Sequence, residues 1–194
     1  KGPFALDKEY PNWSDDGEYD PTIKTVPSTD HVSIWNFYPD PDAYNMDEAE
    51  YCVQRHKLSK TQMRNLKSRP YFRGESIEDC IDMGPQYDKK YWEDDMKDYA
   101  IENYSERYEV LEFWGYVDAD ILEENGIDIP EELADVEQIN CNVWVCQGHV
   151  LRMVLNPFKP VRIPYYAVPY EHNPYSFFGV GIAENMDDTQ TLMN

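Results

Sequence analysis

The chain has 194 residues, of which 41% are hydrophobic and 14% aromatic, so it is long and apolar enough to bury a core within one domain. Its 17 lysines and arginines are outnumbered by 38 aspartates and glutamates, which gives a net charge of −21. This balance argues against tight binding to a nucleic-acid backbone, which depends on cationic side chains. It is compatible with a soluble surface or with binding of a basic partner.

Cysteine content and hydropathy indicate the cellular compartment in which such a chain would fold. The four cysteines form no CxxC pair, and Cys141 and Cys146, five residues apart in one predicted strand, are expected on opposite faces. The first residues contain no apolar segment typical of a signal peptide, and no run approaches the roughly 20 apolar residues that span a bilayer. We therefore expect all the cysteines to be buried, free thiols in a reducing compartment: Cys52, Cys80, Cys141 and Cys146.

The first 30 residues are polar and contain four prolines, at positions 3, 11, 21 and 27. This composition predicts an irregular N-terminal arm over residues 1–30, with one short strand near residues 22–26. Such an arm is stable only if the rest of the domain or a neighbouring subunit covers it. Residues 31–194 are expected to form a single domain.

A strand and a corner are predicted at the start of that domain. Residues 31–38 alternate imperfectly between polar and apolar and predict a strand. Residues 39–43, Pro-Asp-Pro-Asp-Ala, predict a rigid corner because proline fixes the backbone angle φ. We expect Asp40 and Asp42 to bond the local backbone and close the turn, with metal ligation as the alternative.

Residues 47–56 admit two interpretations. Alternating apolar positions favour a strand, whereas Asp47 and Glu50 are spaced as in a capping box at the start of a helix. We favour the strand, because Ser59 is a better N-terminal cap for the helix that follows at residues 60–68.

Three helices are predicted in the middle of the chain. The first, residues 60–68, places Met63 and Leu66 on one side. The second, residues 76–83, has apolar residues at spacings of three and four and ends at a Gly-Pro pair. The third, residues 88–103, carries an aromatic stripe that is typical of core packing.

Residues 107–117 form the longest predicted strand. Their nearly continuous aromatic and aliphatic content predicts a central strand that is covered on both faces. Asp118 is expected to cap a helix over residues 119–125, which Gly126 ends.

The last third of the chain contains the clearest pattern. Residues 139–146 and 149–155 are β-rich and are separated by Gln147-Gly148, which predicts a tight hairpin. A helix is predicted from residue 182, and because no capping residue follows it, we expect the chain to be a piece of a longer protein. The order of elements predicts an α+β domain with a mainly antiparallel sheet and several short helices packed on it.

The sequence contains no recognisable catalytic motif. The four histidines show no ligand spacing, and there is no nucleophile elbow or Walker loop. Gly179 and Gly181 precede a helix, but the acidic residues inside it argue for close backbone packing rather than phosphate binding. An enzyme assembled from scattered Asp, Glu and His remains an alternative, and it would require a cluster around His56, His149 or His172.

Several segments together resemble the portal proteins of tailed bacteriophages. Residues 32–43, Val-Ser-Ile-Trp-Asn-Phe-Tyr-Pro-Asp-Pro-Asp-Ala, are similar to a segment of that family, and residues 51–66 resemble the segment that follows it. The strand at 108–116, the hairpin at 143–156 and the closing aromatic passage at 164–184 occur in matching order. Gln190 and Asn194 lie near the spacing of a Gln and an Asn in the family's next helix.

The resemblance covers about residues 31–194 and implies a structural function rather than an enzymatic one. Portal proteins form a homo-oligomeric ring, typically of twelve subunits, at one vertex of the capsid, and this stretch resembles part of the outer wing region. The implied partners of the full-length protein are capsid and scaffolding proteins, the terminase and a tail adaptor. DNA passes through the ring without sequence-specific binding. The implied location is the virion, and the host cytoplasm during assembly.

The alternative function is an acidic module that binds a basic protein or mimics the charge of DNA. It would require acidic groups concentrated on one face. No catalytic, cofactor-binding or metal-binding residue is predicted, and no cofactor is implied. Six aromatic residues are expected to serve core or subunit packing only: Trp35, Phe37, Trp114, Trp144, Phe177 and Phe178.

Overall fold

The computed structural model describes residues 1–2, 4–14, 16–87, 90, 106–158 and 160–193. The strands in these residues are β1 (Phe4–Tyr10), β2 (Thr22–Ser28), β3 (Phe37–Pro39), β4 (Cys52–Leu58), β5 (Tyr108–Asp118), β6 (Gln138–Cys146) and β7 (His149–Leu155). The α-helices are α1 (Lys60–Leu66), α2 (Gly74–Met83), α3 (Ala119–Glu124) and α4 (Ile182–Met193). Strands β3 to β7 form one antiparallel sheet in chain order, and β1 pairs with β2. The predicted α+β class with a mainly antiparallel sheet is confirmed.

Strand β5 is the longest strand and the middle one of the five. It pairs with β4 from Tyr108 to Trp114 and with β6 from Val110 to Asp118. The side chains of Tyr108, Val110, Glu112 and Trp114 alternate along it and are buried on one face, while the opposite face is partly covered. The predicted central position is therefore confirmed, but the predicted cover of both faces is only partial, since Leu111 on the opposite face is 37% exposed. The buried face holds a glutamate among apolar residues.

The hairpin of β6 and β7 is confirmed at its predicted turn. Gln147 and Gly148 have φ values of 50° and 82°, and a two-residue turn with both values positive matches the twist of the flanking strands. Asn and Gly are the usual residues there, so Gln147 is the less favourable of the two. Its side-chain Nε2 donates to the Gly84 carbonyl at 2.7 Å, which ties the turn to the end of α2.

Helices α1 and α2 cover one end of the buried face. Ser59 caps α1, since its Oγ accepts from the Gln62 backbone N–H at 3.3 Å and the Gln62 side chain accepts from the Ser59 N–H at 2.8 Å. Met63 and Leu66 are buried, as predicted. They join a cluster that also contains Ile77, Cys80, Tyr108, Val110, Trp144, Cys146 and Leu151.

Helix α3 packs against the other face of the sheet. Leu122 joins Cys141, Val143 and Met153 in a second buried cluster, whereas Cys146 belongs to the cluster under α1 and α2. The prediction that Cys141 and Cys146 lie on opposite faces is confirmed. Asp118 is the N-cap residue of α3, as predicted, but its side chain makes no capping bond and instead accepts from Gln138 Nε2 at 2.9 Å.

The strand predicted at residues 31–38 is mostly wrong. Only Phe37–Pro39 pairs with β4, and a single 3₁₀ turn, Ile34–Asn36, precedes it. Proline has no N–H to continue a ladder, so the strand ends at Pro39. The predicted turn-closing bond is confirmed for Asp40, whose Oδ1 accepts from the Asp42 N–H at 3.1 Å. For the Asp42 side chain it stays a prediction.

Residues 47–56 form a strand only in their second half. Asn45 Oδ1 accepts from the N–H groups of Asp47 and Glu48, so a turn occupies the first half and β4 begins at Cys52. A short polar side chain that bonds backbone two residues on competes with a strand in this way. The predicted helix at 88–103 lies outside the described residues.

The N-terminal arm contains more regular structure than predicted. The strand near residues 22–26 is found, but β1 pairs with it over seven residues, from Phe4 opposite Ser28 to Tyr10 opposite Thr22. A bridge between Trp13 and Tyr19 extends the ribbon toward its tip. Prolines 11 and 21 lie beyond the paired ends of the strands, where no ladder bond is lost.

Candidate functional site

A buried carboxylate, Glu112, lies at the centre of the sheet with only 1% of its surface exposed. Its Oε1 accepts from Trp114 Nε1 at 2.8 Å and contacts the Lys1 ammonium. Its Oε2 lies 2.8 Å from His56 Nε2. The glutamate therefore has a hydrogen-bond or ion-pair partner on each oxygen, as a buried charge requires.

Aromatic rings orient the groups that bind Glu112. The His56 ring stacks on Trp144, with ring centroids 4.7 Å apart and planes 14° apart. The Lys1 ammonium lies 5.9 Å from the Trp114 ring centroid and 5.4 Å from that of Tyr165, which are cation–π distances. The start of the chain is thereby anchored on the middle strand.

The protonation of Glu112 follows from these contacts. Burial is the largest influence and disfavours the carboxylate, but the hydrogen bond from His56 and the charge of Lys1 outweigh it and lower the pKa of Glu112 to about 2. A general acid at neutral pH needs a raised pKa, so Glu112 is unsuited to that role. It is a fixed negative charge that holds the chain start, β4 and β5 together.

An apolar groove borders Lys1, whose ammonium contacts this carboxylate. It measures about 430 Å³ and is lined by the segment around residues 30–37 and by the aromatic passage at 165–181, without Glu112 or His56. Phe37 packs against Tyr165 and Phe177, with ring centroids 5.1 and 6.0 Å apart. Gly179 permits the fold of this passage, since a Cβ there would lie 2.3 Å from the Glu171 carbonyl oxygen. Close packing is thus confirmed at Gly179 but not at Gly181, where a Cβ would meet nothing within 4 Å.

Large apolar side chains extend from this passage into solvent. Val168 and Tyr175 are 91% and 87% exposed, and Tyr166 and Tyr170 are also exposed. Isolated exposed apolar residues are normal, but several in one passage beside an apolar groove are typical of a protein-contact surface.

The six aromatic residues expected to pack fall into three environments. Trp114 and Trp144 are buried in the core, Trp144 directly opposite Glu112 on β6 and Trp114 two residues further along β5. Phe37 and Phe177 are half-buried along the groove, and Trp35 and Phe178 are exposed. The first pair therefore serves core packing, and the last pair lies at the surface.

The described residues contain neither a cluster that could hold a metal ion nor, among Cys52, Cys141 and Cys146, a readily ionised thiol. Within the part of the chain that the structure describes, no three His, Cys, Asp or Glu residues lie close enough to hold a metal ion. All four cysteines are buried and free, as predicted. Burial raises the pKa of the Cys52, Cys141 and Cys146 thiols to about 12, so they are poor nucleophiles.

The carboxylate at position 112 was missed by sequence reasoning. The signal was present, since Glu112 occupies an alternating position with Tyr108, Val110 and Trp114, which predicts that it faces the core. Its partners Lys1 and His56 lie 111 and 56 residues away, and no local pattern relates them.

Comparison of the sequence with models of known protein families returned no match, and neither did comparison with curated proteins. Among the described helices, none is both long enough and apolar enough to cross a membrane.

Proposed function

We propose that this chain is part of a structural, non-catalytic subunit of a tailed-bacteriophage portal ring, from its wing region. In this role it forms part of the conduit at the capsid vertex through which DNA is packaged and ejected. The proposal rests on the ordered series of similar segments between residues 31 and 194. The structural observation that supports the proposal is the amount of exposed apolar surface, which would allow contact with other chains.

Two exposed surfaces make up this apolar area. The first is the ribbon of β1 and β2, where Trp13 and Ile23 are 61% and 68% exposed. The second is the aromatic passage that ends in α4, where Val168 and Tyr175 extend into solvent. A subunit that is buried between two neighbours in a ring needs such surfaces on two sides.

The proposed partners follow from this role. Copies of the same chain, with twelve as the expected number, form the ring, and the full-length protein contacts capsid and scaffolding proteins, the terminase and the tail adaptor. DNA passes through the ring and is not bound in a sequence-specific way, in keeping with a net charge of −21. The proposed location is the virion, after assembly in the host cytoplasm.

The mass in solution tests this function. Light scattering coupled to size exclusion is measured on this chain and on the complete gene product, and negative-stain microscopy shows whether rings form. We expect rings of about twelve copies for the complete product and a monomer or loose oligomer for residues 1–194. A complete product that stays monomeric at all concentrations would overturn the proposal. Capture of a basic protein by such a monomer would instead identify an acidic binding module.

A further inference from the structure

The cationic residues of this acidic chain are concentrated in one segment. Seven of the 17 lysines and arginines lie between Arg55 and Arg73, and the 24 residues from Tyr51 to Gly74 contain no aspartate or glutamate. The remaining ten lysines and arginines lie in the other parts of the chain, which contain all 38 acidic residues. A basic segment of this kind is the exception on a surface that is otherwise negative, and it will attract a negatively charged partner.

Helix α1 and the turn after it carry four of these seven charges, Lys60, Arg64, Lys67 and Arg69, at the surface. Lys60, Arg64 and Lys67 follow one another at spacings of four and three, so they form one stripe along the helix. Lys60 and Arg64 are exposed, and Lys67 pairs with Glu78 at the edge of the stripe. Arg69 extends the exposed basic surface beyond the helix. Met63 and Leu66 pack inward, which fixes the direction in which this basic stripe (Lys60, Arg64, Lys67 and Arg69) points.

The ribbon of β1 and β2 carries the opposite charge and is exposed. Residues 4–28 contain six acidic residues and two lysines. Every residue from 5 to 13 is exposed, so neither face of β1 is covered. A two-stranded ribbon without a packed face is at best marginally stable by itself. Its paired strands, from the Phe4–Ser28 pair to the Tyr10–Thr22 pair, span roughly 20 Å, at ~3.3 Å per residue.

We infer that the acidic ribbon of one copy docks on the basic stripe of a second copy of this chain. The contact places Asp16, Glu18 and Asp20 of the ribbon tip against Lys60 and Arg64, and covers Trp13 and Tyr19 beside them. The two surfaces lie on different parts of the chain, so the contact is head to tail and closes a ring when the rotation between copies allows it. The inference rests on the proposed ring function and names the surfaces that meet.

Charge complementarity favours a second copy over nucleic acid as the occupant. Three or four exposed cations on a chain of net charge −21 give little attraction to a polyanion that also approaches the acidic surface. The ribbon, by contrast, offers a few carboxylates together with apolar side chains that gain from burial.

A charge-swap experiment tests the contact. One variant carries Lys60→Glu and Arg64→Glu, and the other carries Asp16→Lys and Glu18→Lys. Self-association is measured by sedimentation velocity at 50 mM and 500 mM salt. We expect association of the unmodified chain to weaken with salt, each variant alone to associate at least tenfold more weakly, and an equimolar mixture of the two variants to recover association. Recovery is expected because each negative surface then meets a positive one.

A matched control separates this contact from net charge. Glu131→Lys with Glu132→Lys changes the charge by the same amount as the ribbon variant, at exposed positions outside the ribbon, and should leave association unchanged. All substituted side chains are exposed, so circular dichroism and melting temperature should stay close to those of the unmodified chain. If the stripe variant associates normally but loses binding to a short DNA duplex, the stripe is a nucleic-acid surface and the inference is wrong.

The same variants in the complete gene product distinguish this inference from the proposed function. Rings formed by either charge-reversal variant by itself, as readily as by the unmodified product, would leave the portal function standing and overturn the contact. Failure of the unmodified product to form rings would overturn the function itself. An equimolar mixture that fails to recover the association lost by each variant would also overturn the contact.

Discussion

Replacing Glu112 by glutamine removes a buried negative charge that Lys1 and His56 share. A pKa of about 2 in the folded chain, against an ordinary value of 4.5, corresponds to roughly 3 kcal/mol of stability at neutral pH. Removing one partner of a buried ion pair costs about 3–5 kcal/mol in other proteins, which is the same range. For a chain of this size, a loss of ~3 kcal/mol lowers the melting temperature by about 6–12 °C.

The pH dependence identifies the charge as the cause. Because the folded-state pKa of Glu112 lies below its unfolded value, its contribution is complete above about pH 4.5 and is lost as the pH falls toward 2. Urea unfolding of both proteins, followed by tryptophan fluorescence, gives the difference in the free energy of unfolding. That difference should fall to about half between pH 7 and pH 3, while the other carboxylates titrate equally in both proteins.

Glu124→Gln serves as the control, since Glu124 is exposed on α3 and its substitution should change the free energy of unfolding by less than about 0.5 kcal/mol. Equal urea midpoints for Glu112→Gln and the unmodified chain at pH 7 would refute the assignment of a stabilising buried charge. So would a difference that does not depend on pH.

Three further substitutions or treatments test local features of the fold. Gly179→Ala should lower the free energy of unfolding by about 1–3 kcal/mol in thermal melts, because its Cβ would lie 2.3 Å from the Glu171 carbonyl oxygen. Gly74→Ala, where a Cβ meets nothing within 4 Å, should be neutral, and equal melts for both would contradict this. Ser59→Ala should cost about 1 kcal/mol in urea through loss of the capping box, and no change in midpoint would count against the box. Iodoacetamide at pH 8 should leave the buried thiol of Cys52 unmodified in the folded chain and alkylate it after denaturation, as mass spectrometry will show, since its pKa is raised to about 12. Rapid alkylation of the native chain would show that the thiol is accessible.

Local sequence patterns were sufficient at the hairpin, at the start of α1 and along β5. The turn at Gln147-Gly148 needs two positive φ values, and the β-rich runs on either side leave a hairpin as the natural solution. Ser59 and Gln62 supply a capping box within four residues. The nearly continuous aromatic and aliphatic content of β5 likewise predicts a strand from the residues of the strand alone.

The strands predicted at residues 31–38 and 47–56 were partly wrong, because a nearby proline and a nearby side chain compete with strand pairing there. In the first segment Ile34–Asn36 turns as a 3₁₀ helix and the strand stops at Pro39. In the second, the Asn45 side chain bonds the backbone of Asp47 and Glu48 and delays β4 until Cys52. Both segments have an alternating pattern, but side-chain and proline constraints outweigh it.

The sequence by itself determined the fold class, the hairpin, the first two helices and the burial of the cysteines, because periodicity and capping act within a few residues. Only the tertiary structure decided that Lys1, His56 and Glu112 meet, and that β1 and β2 form a ribbon exposed to solvent. Those outcomes depend on contacts between residues far apart in the chain. The free energies of those contacts come from charge burial and strand pairing, and neither can be predicted from the residues of one segment.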